Sequence, residues 1–213
     1  MMNYTPEERK LIKKELTTVV KSDYGPAKTF TFYKNDGSIP LVWGMNNIQS
    51  YKPPTFKRTG INIPRNDIKL KPLQTKCMEE IDIQMSKDIG GGIINLATGS
   101  GKTVLSLYTI SKYSMKTLVM VNTVELMNQW KESIKKFLGD VSIGTIRGDT
   151  FDRDCDITIG MVQTISMRKE YTKDMFKDFS LCFIDECHHL SSEVFSEALF
   201  KCRTKYTLSL IHI

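Results

Sequence analysis

Residues 95–104 read NLATGSGKTV and residues 181–190 read LCFIDECHHL. In the first stretch a glycine-rich turn, Gly99-Ser100-Gly101, runs into Lys102 and Thr103. In the second, four apolar residues deliver two adjacent carboxylates, Asp185 and Glu186. Glycines let backbone N–H groups approach phosphate oxygens, and a helix beginning at Lys102 adds the partial positive charge of its first turn. From that position Lys102 reaches the β and γ phosphates of a nucleotide, and the Thr103 hydroxyl binds Mg²⁺. A carboxylate at a strand tip, Asp185, holds the same cation through water, and Glu186 polarises the attacking water. An acidic pair after a strand is a surface turn in most proteins. Downstream of a phosphate loop it points to nucleoside-triphosphate hydrolysis. One position departs from the strict G-x-x-x-x-G-K-[ST] pattern, because Leu96 stands where its first glycine belongs.

These residues need strands to carry them and a helix to receive the loop. The apolar runs IINL, TLVMV, VSIGTI, DITIG and LCFID are short and alternate poorly, as strands covered on both faces do. Between them lie helical patterns: Lys102 to Tyr113 after the glycine turn, and VELMNQWKESIKKF, where Leu126, Trp130, Ile134 and Phe137 share a stripe. Strands separated by helices predict an α/β domain with a parallel sheet and helices on both faces. Trp130 on its apolar stripe reads as core and not as a base-stacking residue.

The chain ahead of this domain has a different rhythm. Thr5-Pro6-Glu7-Glu8 is a helix start with a capping box, and the periodic Leu11, Ile12, Leu16, Val19 and Val20 predict a helix from about Pro6 to Val20. Phe30 and Phe32 alternate with threonines, Asn35 to Ser38 makes a turn, and Ile39 to Trp43 is a second extended run, which together predict a hairpin with Pro40 on an edge strand. Residues 50–66, rich in proline and base, read as a linker. The expected organisation is a small α+β module over 1–66 and the α/β domain over 67–207.

Composition sets outer limits. With 213 residues, 40% of them apolar, the chain can build a sizeable core. A formal charge of +6 is modest: it points to acidic partners, nucleic acid first, and equally to a merely lysine-rich solvated surface. The five cysteines contain no C-x-x-C pair. Cys182 and Cys187, with two histidines following, only faintly suggest zinc, since Cys182 falls within an apolar strand pattern. Reduced thiols and an intracellular location are the default expectation. No apolar run approaches the roughly 20 residues needed to cross a bilayer.

LATGSGKT together with DECH resembles motifs I and II of superfamily-two helicases and translocases, whose phosphate loop has the looser form x-x-T-G-x-G-K-T. Leu96 is ordinary in that loop. LKPLQTKCMEEI resembles the family's Q-type motif, with Lys71 and Leu73 replacing its commoner arginine and tyrosine. TLVMVNTVELMNQW resembles motif Ia, with Asn122 in place of proline, and DITIGMVQTI resembles the Ib and Ic region, with Met161 in place of threonine. The resemblance covers about residues 67–207, and Q-W after motif Ia brings it nearest to the branch of XPB-like helicases, their relatives in large DNA viruses and restriction-enzyme motors.

The resemblance implies a RecA-like lobe that binds ATP and Mg²⁺. Gln74, Thr98, Gly99, Ser100, Gly101, Lys102 and Thr103 would hold the nucleotide, with Gln74 reading the adenine edge. Thr103 and Asp185 would hold the metal, Lys102, Asp185 and Glu186 would act in catalysis, and His188 would couple hydrolysis to movement. Thr123, Gly148, Gln163 and Thr164 would contact nucleic acid, with duplex DNA favoured over RNA. A second RecA-like lobe, carrying arginine fingers, is expected in the full protein. Residues 208–213, Leu-Ser-Leu-Ile-His-Ile, match an in-frame reading of a common transposon-end sequencing adapter, and are expected to be partly or wholly a non-native tail. Other readings are a nucleotide-gated nucleic-acid-binding lobe without turnover, an RNA helicase, and a P-loop kinase or GTPase, which would leave the Q-type and Ia-type segments unexplained.

Overall fold

A computed structural model describes residues 4–22, 25–63, 68–186 and 192–211. It divides into two compact units, Met1–Thr55 and Phe56–Ile213.

In the first unit, α1 (Pro6–Glu15) begins with the expected reciprocal cap. Thr5 Oγ1 accepts from the Glu8 N–H at 3.2 Å, and Glu8 Oε2 accepts from the Thr5 N–H at 2.9 Å. The helix stops well short of Val20. Thr17-Thr18-Val19-Val20 is a β-branched run that favours extended backbone, and it forms β1 (Thr17–Ser22), antiparallel to β2 (Gly25–Thr31). The hairpin therefore lies one segment earlier than its sequence signals suggest. The Asn35–Ser38 turn is present, with Asp36 Oδ1 accepting from the Ser38 N–H at 2.8 Å, but it leads into a helix, α2 (Leu41–Asn47). Pro40, held at φ −56°, has no N–H to give a sheet and suits a helix start. Ile12, Leu16, Ile39 and Ile48 form the buried centre of this unit.

The second unit is the predicted α/β domain. After α3 (Pro72–Met85) come β3 (Gly90–Asn95), α4 (Lys102–Tyr113), β4 (Thr117–Val121), α5 (Val124–Leu138), β5 (Ile143–Arg147) and β6 (Thr150–Phe151). Then follow β7 (Ile157–Met161), α6 (Val162–Met167), β8 (Leu181–Asp185), α7 (Ser192–Lys201) and β9 (Tyr206–Ile211). The strand order is β3-β9-β8-β4-β7-β5-β6, parallel throughout except for β6. Every residue of β4 and β8 is buried, which is why those runs do not alternate. Val119, Val121 and Phe183 point into a core shared with Met78 of α3, Leu105 of α4 and Trp130 of α5. Leu118, Met120, Cys182 and Ile184 point the other way, to Ile165 of α6 and Ala198 of α7. Cys182 is thus a core residue, and Cys187 lies outside the described residues.

Two segments differ from their sequence signals. Part of the expected linker belongs to the second unit: the Ile61 N–H donates to Ser114 O and the Lys116 N–H to Thr59 O, both at 2.9 Å, while the Ser180 hydroxyl bonds both Lys57 O and the Thr59 N–H. Basic and proline-rich composition did not disclose these backbone partners. At the other end, residues 208–211 complete β9, with Leu208 and Leu210 buried on either side of Ser209. Leu-Ser-Leu-Ile has the apolar spacing a strand beside β8 needs, whatever its origin. No described helix is long and apolar enough to cross a membrane.

One buried cation ties the far face together. Lys201 Nζ donates to the carbonyls of Ile165, Ser166 and Arg168 at 3.0, 3.0 and 2.7 Å, closing the C-terminal end of α6. Lys201→Met, which keeps the stem and removes the charge, leaves those carbonyls short of a donor. Urea denaturation should show a loss of about 2–3 kcal/mol. An unchanged midpoint would mean that water replaces the ammonium without cost.

Candidate functional site

The phosphate loop leaves the sheet at the end of β3. Leu96 is 7% exposed and packs into the core, so an apolar side chain is useful where the strict pattern has glycine. The loop then turns on two residues that only glycine adopts easily, Gly99 at φ +76° and Gly101 at φ +85°. The Ser100 N–H and hydroxyl both donate to Ala97 O, and the Leu105 N–H donates to Gly101 O, starting α4. Thr98 is exposed on the loop, and Lys102 and Thr103 occupy the first turn of α4.

Gln74 is buried against this loop. Its Nε2 donates to Ser100 O and Gly101 O, each at 3.1 Å, and its Oε1 accepts from the Lys71 N–H at 2.8 Å. The carboxamide thereby fastens the start of α3 to the loop with both Nε2 hydrogens engaged, and Oε1 keeps a second lone pair that an adenine N–H could use.

β8 brings Asp185 and Glu186 to the same end of the sheet. Glu186 Oε1 lies 3.8 Å from Lys102 Nζ, which also donates to Leu96 O at 3.2 Å. Lysine and carboxylate from the two sequence stretches therefore meet. Glu186 has φ +52°, an uncommon conformation for a residue with a Cβ. Its peptide is gripped from two sides, since its N–H donates to Leu210 O at 3.1 Å and its carbonyl accepts from Asn122 Nδ2 at 3.4 Å. Asp185 is 6% exposed, and its Oδ2 accepts from the Trp130 indole N–H at 2.8 Å. Burial pushes the Asp185 carboxyl above the usual carboxylate range, with the Trp130 bond acting against that rise, the Glu186 charge adding to it and Lys102 opposing it.

Among the described residues no group of three or more histidine, cysteine, aspartate or glutamate side chains could enclose a metal. Mg²⁺ does not require one, because it keeps several waters and binds through one or two carboxylates together with substrate phosphates. The hard oxygens of Thr103 and Asp185 fit that donor set. His188, expected to couple, lies outside the described residues.

The four residues expected to face nucleic acid come together in two pairs at the C-terminal ends of β4, β5 and β7. Thr123 caps α5, its Oγ1 accepting from the Leu126 N–H, and neighbouring Asn122 O accepts from Gln163 Nε2 at 3.0 Å. The Gly148 N–H donates to Thr164 Oγ1 at 3.3 Å. Arg168, not singled out in the sequence, braces the second pair, donating to Gly148 O at 3.0 Å and pairing with Asp149 and Glu170. Asn122 was visible only as a missing proline. Its side-chain amide does what proline cannot, donating to the Glu186 carbonyl, while its backbone carbonyl accepts from Gln163.

Trp130 lies in the core, as its apolar stripe predicts, and is 1% exposed. Its bond to Asp185 leaves no mark in the sequence spacing. The available signal was general: a buried indole N–H needs an acceptor.

Comparison with known proteins matches residues 67–210 to the family described as type III restriction enzyme, res subunit. The chain is 29% identical over 217 aligned positions to a putative ATP-dependent RNA helicase, L396, of Acanthamoeba polyphaga mimivirus, covering 96% of this chain and 41% of that protein. It is 37% identical over 107 positions to the DNA 3'-5' translocase XPB2 of Sulfurisphaera tokodaii, covering 49% of this chain and 23% of that one. Among solved structures, the UvsW helicase of bacteriophage T4 superposes with a TM-score of 0.64 at 16% identity, over 97% of this chain and 86% of that one. The Sulfolobus solfataricus SWI2/SNF2 ATPase core in complex with dsDNA gives 0.53 at 20% identity, over 70% of this chain and 32% of that one. These two structures share the fold. The chain spans less than half the length of the mimivirus and archaeal relatives.

Proposed function

The chain belongs to the family of the type III restriction enzyme res subunit, and we propose that it is the first RecA-like lobe of a superfamily-two helicase that binds and hydrolyses ATP to drive movement along DNA. The observation that carries the proposal is the meeting of Lys102 with Glu186 at 3.8 Å, beside the buried Asp185, at the end of the sheet where the glycine loop turns.

In this proposal Lys102 exchanges the Leu96 carbonyl for β and γ phosphate oxygens. Thr103 and Asp185 would hold Mg²⁺, which would supply charge neutralisation on the phosphates. Glu186 accepts the proton of a water as its oxygen bonds to the γ-phosphorus and the bond to the β-phosphate oxygen breaks. Asn122 and Gln163 join the Glu186 peptide to the segment that would track the nucleic-acid backbone, and this supports coupling between binding and hydrolysis. DNA is favoured by the archaeal translocase among the relatives and by the motif Ia Q-W pair. A second lobe, from the rest of a longer protein, would supply arginine fingers, which contribute roughly 10³–10⁵ in rate where measured.

The test is phosphate release with and without duplex DNA or RNA, on this chain and on a version extended by the second lobe. Stimulation by DNA in the two-lobed protein is the expected result. ATP binding without turnover in both would replace the motor with a nucleotide-gated binding protein, and stimulation by RNA alone would reverse the DNA assignment. Binding should also weaken with salt, the log–log slope being about 0.9 per phosphate neutralised on duplex DNA. A flat salt response would exclude backbone tracking.

A further inference from the structure

Trp130 is the largest fully buried side chain of the described residues. It sits on α5 beside Met127 and Ile134, its ring centroid 6.4 Å from that of Phe183 on β8. Packing alone would account for a tryptophan there, but packing does not require the indole N–H to end 2.8 Å from Asp185 Oδ2.

The two groups meet each other's need. A buried indole N–H without an acceptor, like a buried carboxylate without donors, carries a desolvation penalty. The bond also has a directional effect. The terminal torsion of aspartate is broad, so an unheld carboxylate can present either oxygen over a range of angles. A donor fixed to Oδ2 by a rigid, close-packed ring ends that freedom. Groups that hold a metal ligand in this way from behind matter for affinity, and losing one typically costs 10–100-fold.

We propose that Trp130 is a positioning residue of the nucleotide site: its indole N–H fixes the Asp185 carboxylate so that Oδ1 is presented to the divalent cation, and it thereby sets the cation concentration at which nucleotide binds. The proposal rests on the ATP-binding reading of the lobe. It gives Trp130 no contact with the nucleotide or the reacting atoms. The indole bond persists when the cation is bound, because the two use different oxygens of one carboxylate.

Trp130→Phe removes the N–H and keeps an aromatic ring in the core. Binding of a fluorescent ATP analogue is titrated with Mg²⁺ for the unaltered chain and the variant. The expected result is a roughly 10- to 100-fold higher Mg²⁺ requirement in the variant, with nucleotide affinity in excess EDTA unchanged. In the two-lobed protein, turnover should recover at saturating Mg²⁺, a shift in KM for the metal without a matching fall in kcat. A merely structural role would lower both affinities together and leave the Mg²⁺ midpoint in place. An unshifted midpoint in a folded variant overturns the proposal.

Should the variant fail to fold, Trp43→Phe settles the matter, because the chain has two tryptophans and Trp43 lies in the first unit. Trp130 is then the sole indole. Its emission should shift when Mg²⁺ and nucleotide are added together and not when nucleotide is added with EDTA. Emission that ignores the cation overturns the proposal. Failure of the unaltered chain to bind the analogue at any Mg²⁺ concentration overturns both the proposal and the lobe assignment beneath it.

Discussion

Lys102→Ala is expected to weaken ATP binding by about two to four orders of magnitude while leaving the fold intact. Each hydrogen bond to a charged partner contributes roughly 1.5–3 kcal/mol, and the ammonium would make one to the β and one to the γ phosphate. At about 1.4 kcal/mol per decade the pair accounts for that loss. The protein's own structure depends far less on this group. It donates to one backbone carbonyl, Leu96 O, and stands 3.8 Å from the Glu186 carboxylate. Titration with a fluorescent nucleotide, beside an unfolding curve of the same sample, separates the two effects. Wild-type affinity in a folded Lys102→Ala protein would remove the lysine from the site.

Glu186→Gln should do the reverse, retaining binding and abolishing turnover. General-base assistance contributes typically 10²–10⁴-fold, so DNA-stimulated phosphate release by the two-lobed protein should fall by about that factor. The substitution is well matched to the question. The backbone at φ +52° is held through the Glu186 N–H and carbonyl, by Leu210 and Asn122, and neither bond uses the side chain. An amide can therefore replace the carboxylate without releasing the peptide. Removing a negative charge beside Lys102 should, if anything, favour a phosphate there. A normal hydrolysis rate in this variant would assign water activation to another group.

The parts of the fold that could be read from sequence were those where one physical demand dominates. β4 and β8 lie buried on both faces, so their residues are apolar without interruption, and their limits coincide with the runs TLVMV and LCFID. α4 starts at Lys102 because a glycine turn delivers it there. The first unit was less legible because local signals competed. Leu16, Val19 and Val20 fit a helical period, yet Leu16 caps the end of α1 and the β-branched run carries Val19 and Val20 into β1. Pro40, which the pattern places on an edge strand, instead caps the start of α2.

In the site, types and spacing identified which residues carry charge, and the structure brings Lys102 and Glu186 together. The supports could not be read in the same way. Gln74, Asn122, Trp130 and Arg168 act through amide, indole and guanidinium groups whose partners lie elsewhere in the chain, and no spacing rule connects them. Trp130 shows the limit well: core residue and carboxylate donor are compatible roles, and only the first leaves a periodic trace.

The two glycines of the loop, alike in backbone angle, differ in what surrounds them. A Cβ at Gly99 would meet nothing within 4 Å, whereas one at Gly101 would sit 2.5 Å from Gln74 Nε2. Residue 101 is thus constrained by the protein's own helix before any nucleotide arrives. Gln74 works as a clasp whose closing requires a bare backbone at 101, so α3 and the loop behave as one mechanical part. Of the two loop glycines, the one with less room for change is set by the neighbour that grips the loop and not by the ligand the loop would grip.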